Sequence, residues 1–190
     1  MWLHVADTLT QAAHPIFYQA VEQRERCEKA SSRAYETAQA LFDKSPDRMA
    51  AVEVDCEEPA FLPAFLLYGY AIENLLKGLY VLRNPEVVHD QKVQVPPLHD
   101  LVELAALVGY VPTQEEANLL EKISTVTLWS GRYPVARNRL QHGKIGLYRE
   151  GIFSDPVAAG LDAHTLINKL RKLVDDGQPR PKGGVVVVWE

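Results

Sequence analysis

Residues 60–83 constrain the fold more than any other stretch of this chain. Phe61, Leu62, Phe65, Leu66, Leu67, Tyr68, Tyr70, Ile72, Leu75, Leu76, Leu79, Tyr80, Val81 and Leu82 leave no continuous polar face. A helix that is apolar all round is either a membrane span or the middle of a bundle. Glu73, Asn74 and Lys77 fall at mid-length. Hydrocarbon penalises charge most at that depth, so the pattern predicts a bundle centre. Asn84-Pro85 ends the segment, because proline cannot continue a helix interior.

The flanking segments read as partners for this centre. Residues 16–43 alternate Phe17, Ala20, Val21, Cys27, Ala34, Ala38, Leu41 and Phe42 with charges, the pattern of a long amphipathic helix. Pro15 is expected to separate it from a shorter helical segment at 2–13. Residues 44–59 read as a loop, and a Val- and Pro-rich loop runs to Leu98. His99 to Val108 is a short helix with Gly109 as its stop. Thr113 opens another helix, with Glu115 and Glu116 at its positive end, which runs through Leu119, Leu120, Ile123, Val126 and Leu128 toward Tyr133. Residues 143–160 carry four glycines and read as a loop, and the last helix runs from Leu161 to Asp175, closed by Gly177. Val185-Val186-Val187-Val188-Trp189 is β-prone. The sum is an all-α, up-and-down bundle of about four to six helices, one domain over residues 1–176 with a tail at 177–190.

Composition narrows the function classes. Net charge is −5, so the protein as a whole is not built to coat nucleic acid. Locally the sign reverses: Arg132, Arg137, Arg139, Lys144 and Arg149 face one acid, Glu150, within residues 131–150. Cys27 and Cys56 form no metal spacing and no disulfide framework, so reduced thiols are expected. Six scattered histidines without paired cysteine or carboxylate spacing argue against a metal site, and no cofactor is expected. The start, Met1-Trp2-Leu3-His4, lacks a basic region and a long apolar run, so a cytoplasmic protein is expected.

The chemistry-bearing run is Arg137-Asn138-Arg139-Leu140-Gln141-His142. Imidazole titrates near neutrality and suits proton transfer to or from a hydroxyl. A guanidinium keeps its charge and matches phosphoryl oxygens. Five residues on one helix is 500°, so Arg137 and His142 splay by about 140° and cannot converge from one face. Asn138 and His142 are four apart and share a face, so the amide can fix the imidazole. A second Arg/His pair, Arg83 and His89, is discounted because Pro85 puts it in a turn.

The run resembles the Arg-x4–6-His motif of the HEPN superfamily of small helical-bundle domains. The order of parts is also similar. A helix carrying Ala71-Ile72-Glu73-Asn74-Leu75-Leu76-Lys77 comes first, then a short helix opening with His99. A helix ending in Trp129-Ser130-Gly131-Arg132-Tyr133-Pro134 follows, and then a final Asp162-Ala163-His164-Thr165-Leu166-Ile167 helix. The resemblance covers roughly residues 16–176.

The resemblance implies a metal-independent endoribonuclease in a toxin, defence or RNA-processing setting. His142 would be the general base or acid, Arg137 would stabilise the transition state and Asn138 would orient the imidazole. Arg132, Arg139, Lys144 and Glu73 would bind or orient. It also implies a homodimer that gathers two motifs in one cleft, RNA as substrate, and a protein partner such as an antitoxin or a nucleotidyltransferase, with no membrane. Family members that have lost the motif only bind, so the alternative is a non-catalytic module for a nucleotide, RNA or a partner protein. A plain interaction protein is the third reading. The family's aromatic residue two after the histidine is here Lys144, and the nearest tyrosine is Tyr148.

Three further readings stay open at this level. Glu73 either orients Arg137 or His142, or pairs with Lys77 at a bundle edge. His99 and His164 are read as capping or core-rim residues. Trp129, Tyr133 and Tyr148 either stack bases or pack the core.

Overall fold

The computed structural model describes residues 2–44, 52–89, 92–129 and 153–177. Among them are five helices: α1 (Trp2–Lys44), α2 (Leu62–Arg83), α3 (Leu101–Leu107), α4 (Gln114–Trp129) and α5 (Pro156–Gly177). The fold is all-α, as the sequence predicts. Its only described strands are Val88–His89 and Lys92–Val93, a two-residue antiparallel pair with Val88 opposite Val93. None of the described helices is long and apolar enough to cross a membrane.

Helix α2 is the centre, and the other four helices all touch it. Ala64, Phe65, Tyr68, Ala71, Ile72, Leu75, Leu76 and Leu79 are buried around its whole circumference. Phe17 and Ala13 of α1, Leu104 of α3, Ile123 of α4 and Leu166 of α5 complete the same core. Pro63 in the first turn suits the helix start, and Asn84 stops it by turning its backbone N–H and its side-chain amide onto the Tyr80 carbonyl. Pro85–Val87 then forms a 3-10 turn, which places Arg83 and His89 as the sequence reading had them.

Two glycines let helices approach closely. A Cβ at Gly69 would overlap the Thr127 methyl, and one at Gly160 would overlap the Phe17 ring. These contacts lock α2 onto α4 and α5 onto α1, and any larger residue there must push a helix away.

Four expectations are corrected. Helix α1 does not break at Pro15 but runs through it. The proline and Gln11, whose carbonyl loses its partner, are both exposed, so water can satisfy it. The buried Ala13, Phe17 and Ala20 hold the helix on α2 from either side. Helix α3 starts at Leu101, because Asp100 caps it and accepts from Val102 N at 2.9 Å and Glu103 N at 3.1 Å. Helix α5 starts at Pro156, well before Leu161, because Asp155 caps it in the same way. Cys27 and Cys56 are disulfide-bonded, with Cα atoms 5.4 Å apart. Spacing could not reveal this, since it depends on residues 52–60 running back beside α1. The β-prone run 185–189 lies outside the described residues.

Candidate functional site

The polar trio that interrupts α2 builds the described part of the site. Glu73 and Lys77 are one turn apart, and Lys77 Nζ lies 2.8 Å from Glu73 Oε1. Both side chains are 9% exposed. The pair therefore sits in the core, and not at the bundle edge where the sequence reading had it. Burying two charges costs several kcal/mol each, and mutual attraction repays this only with good geometry and further hydrogen bonds.

A third group supplies one. His99 Nδ1 lies 2.9 Å from the same Glu73 oxygen. The carboxylate accepts, so this nitrogen carries the proton. The imidazole is 33% exposed and runs from the buried carboxylate to the surface. Three elements aim it. Helix α2 holds Glu73 and Lys77. Asp100 caps α3 and so leaves His99 outside that helix. Leu101 N donates to Ser124 Oγ at 3.1 Å, which pins the backbone beside His99 to α4. His99 is thus not the cap of α3, which is Asp100, but a residue at the rim of the core. Asp100 ahead of an apolar run was the available signal, because a cap at 100 excludes residue 99 from the helix.

The other sequence-predicted site residues, Arg132, Arg137, Asn138, Arg139, His142 and Lys144, lie outside the described residues. So do Tyr133 and Tyr148. Of the expected site, the structure describes Glu73 and gives it Lys77 and His99 as neighbours.

A second histidine centre lies where α1 meets α5. The His14 and His164 rings are edge-on with centroids 4.7 Å apart, and His164 Nε2 lies 3.3 Å from Asn168 Nδ2. Burial, reinforced by the charge of His164, lowers the pKa of His14. Tyr68 packs against His14 and Phe17, and burial pushes its hydroxyl up to about 12. These rings serve packing in a seam between helices, where burial disfavours the charged forms of His14 and Tyr68. Among the described residues no group of three or more His, Cys, Asp or Glu is placed to hold a metal ion.

A third polar cluster ties α4 to α5. Thr113 and Glu116 form a reciprocal cap, with Glu116 N to Thr113 Oγ1 at 3.3 Å and Thr113 N to Glu116 Oε2 at 3.0 Å. Glu116 also accepts from Tyr110 Oη and from Lys169 Nζ, both at 2.8 Å. Burial pushes Glu116 upward, but Lys169, the Thr113 amide and Tyr110 together outweigh it and hold the carboxyl below its ordinary value. Its bonds are all local or structural, so the cluster fixes the bundle.

No family model matches the chain, nor does any curated protein or any solved structure.

Proposed function

We propose that this chain is a HEPN-like bundle protein that cuts RNA without a metal, as a homodimer. The observation that carries the reading is the run Arg137-Asn138-Arg139-Leu140-Gln141-His142, placed after the main helices of an all-α chain. In the proposed reaction His142 moves the 2′-hydroxyl proton, and the 2′-oxygen attacks the adjacent phosphorus. Arg137 balances the charge that spreads over the phosphoryl oxygens. Asn138 orients the imidazole. Arg132, Arg139 and Lys144 hold the phosphate backbone, and Glu73 supports the site from α2. On one helix Arg137 and His142 would splay by about 140°, which favours a two-fold pair in which each chain completes the other's cleft. An antitoxin or nucleotidyltransferase is the kind of protein partner the resemblance suggests.

Net charge of −5 favours a second reading, a non-catalytic module that binds a nucleotide, RNA or a partner protein. One experiment separates the two. Purified protein is incubated in chelator with an RNA and with DNA of the same sequence. The first reading expects cleavage of RNA alone, with 2′,3′-cyclic phosphate ends, because the 2′-hydroxyl is the nucleophile. Binding without cleavage across varied RNAs supports the second.

A further inference from the structure

We propose that the Cys27–Cys56 bridge is a reversible thiol–disulfide switch, which fastens residues 52–60 to the part of α1 that projects past the core. The proposal stands apart from the ribonuclease reading.

Both ends of the bridge lie outside the core. The last buried side chain of α1 is Ala20, yet the helix runs on to Lys44. At 1.5 Å per residue, roughly 36 Å of helix projects past the core. A helix of that length gains little stability by itself and depends on what packs against it. Cys27 sits in this projection. Cys56 sits opposite, in a stretch at 52–60 that has no helix or strand and no buried side chain. The chain re-enters the core at Phe61, whose ring centroid lies 5.9 Å from that of Phe17.

The bridge is the strong tie between these two parts. Gln23 Nε2 donates to Glu57 Oε2 at 3.4 Å, a long and exposed bond of little worth. Cys27 Sγ lies 3.1 Å from the Glu57 carbonyl oxygen, but the thiol that reduction leaves there is a weak donor. Arg24 is spent on Glu28 and Asp155, which ties α1 to α5 before Cys27 is reached. Opening the bridge therefore frees residues 52–60 and loosens α1 beyond Cys27, and leaves the core packed.

The exchange needs only a small thiol. Cys56 is exposed, so a thiolate can reach the bridge. It bonds to the Cys56 sulfur, and the bond between the two cysteines breaks with its electron pair on the Cys27 sulfur, which takes up a proton. A second thiol attacks the mixed disulfide and releases Cys56. Two cysteines are reduced and two thiols become one disulfide, so electrons balance. The same small disulfide reverses the reaction.

The test is limited trypsin digestion of the full chain, held oxidised with glutathione disulfide or reduced with glutathione, with the cut sites read by mass spectrometry. Lys29 and Arg33 are exposed on the projecting part of α1, whereas Lys77 is buried in α2. Reduction should speed cutting at Lys29 and Arg33 by at least about tenfold, ahead of any cut at Lys77, and glutathione disulfide should restore the protection. Cys27→Ser with Cys56→Ser should be cut like the reduced protein under both conditions. A bridge that glutathione does not open, or that glutathione disulfide does not re-form, would overturn the proposal. So would equal cutting of the two forms, protection of the double serine variant, or cutting at Lys29, Arg33 and Lys77 together, which would mean that the bridge holds the whole fold.

Discussion

Glu73 on α2 and His99 ahead of α3, 26 residues apart in sequence, share a hydrogen bond of 2.9 Å that carries an imidazole from the core to the surface. Lys77 closes the group from the same helix. Such a centre costs stability to build, and each member depends on the others.

Removing one member should therefore hurt more than removing two. Lys77→Ala removes a buried counter-charge 2.8 Å from the carboxylate and should cost about 3–5 kcal/mol. Glu73→Leu with Lys77→Met removes both charges and should cost clearly less. Urea unfolding of the three proteins measures the difference. Equal losses in the single and double variants would mean that the pair is not coupled.

Acid should loosen the α1–α5 seam before it reaches the carboxylates. Burial and His164 hold His14 below its ordinary value of 6.5. The unfolded chain binds the proton more readily, so this contribution is complete above pH 6.5 and is lost as pH falls through the folded value. Glu116 and Asp155, both held below their ordinary values, lose their contributions only at lower pH. Urea midpoints taken between about pH 7.5 and pH 5 should fall for wild type and stay flatter for His14→Phe.

Gly160 should not tolerate a side chain. Gly160→Ala drives a methyl into the Phe17 ring and should cost about 1–3 kcal/mol. Adding Phe17→Leu should recover part of that loss in the same unfolding assay.

The Cys27–Cys56 bond closes a loop across a sequence separation of 29. Oxidised protein should resist alkylation until it is reduced, and Cys56→Ser should lower stability by about 2–4 kcal/mol. Mass spectrometry before and after reduction checks the first point, and denaturant unfolding the second.

Much of the fold was legible in the residues. The all-round apolar pattern of 60–83, broken by Glu73, Asn74 and Lys77, leaves few options but a bundle centre, and α2 is that centre. Local breakers were less reliable. Pro15 looks like a boundary, yet packing of Phe17 and Ala20 on α2 overrides it. Glycines hid the start of α5, although Asp155-Pro156 is a cap followed by a first-turn proline. In the candidate site, Glu73 and Lys77 are readable as an i, i+4 pair. Their burial and the approach of His99 are not, because both depend on where α3 and α4 come to rest. The disulfide was illegible for the same reason.

The central claim is that Arg137 and His142 cut RNA. Its direct measurement is the single-turnover cleavage rate of one RNA, in chelator, for wild type, Arg137→Ala, His142→Ala and the discounted pair Arg83→Ala and His89→Ala. The account predicts losses of roughly 10²–10⁴ for the first two variants. It predicts little change for Arg83→Ala and His89→Ala, both exposed around a turn. Cleavage undiminished in His142→Ala would contradict it.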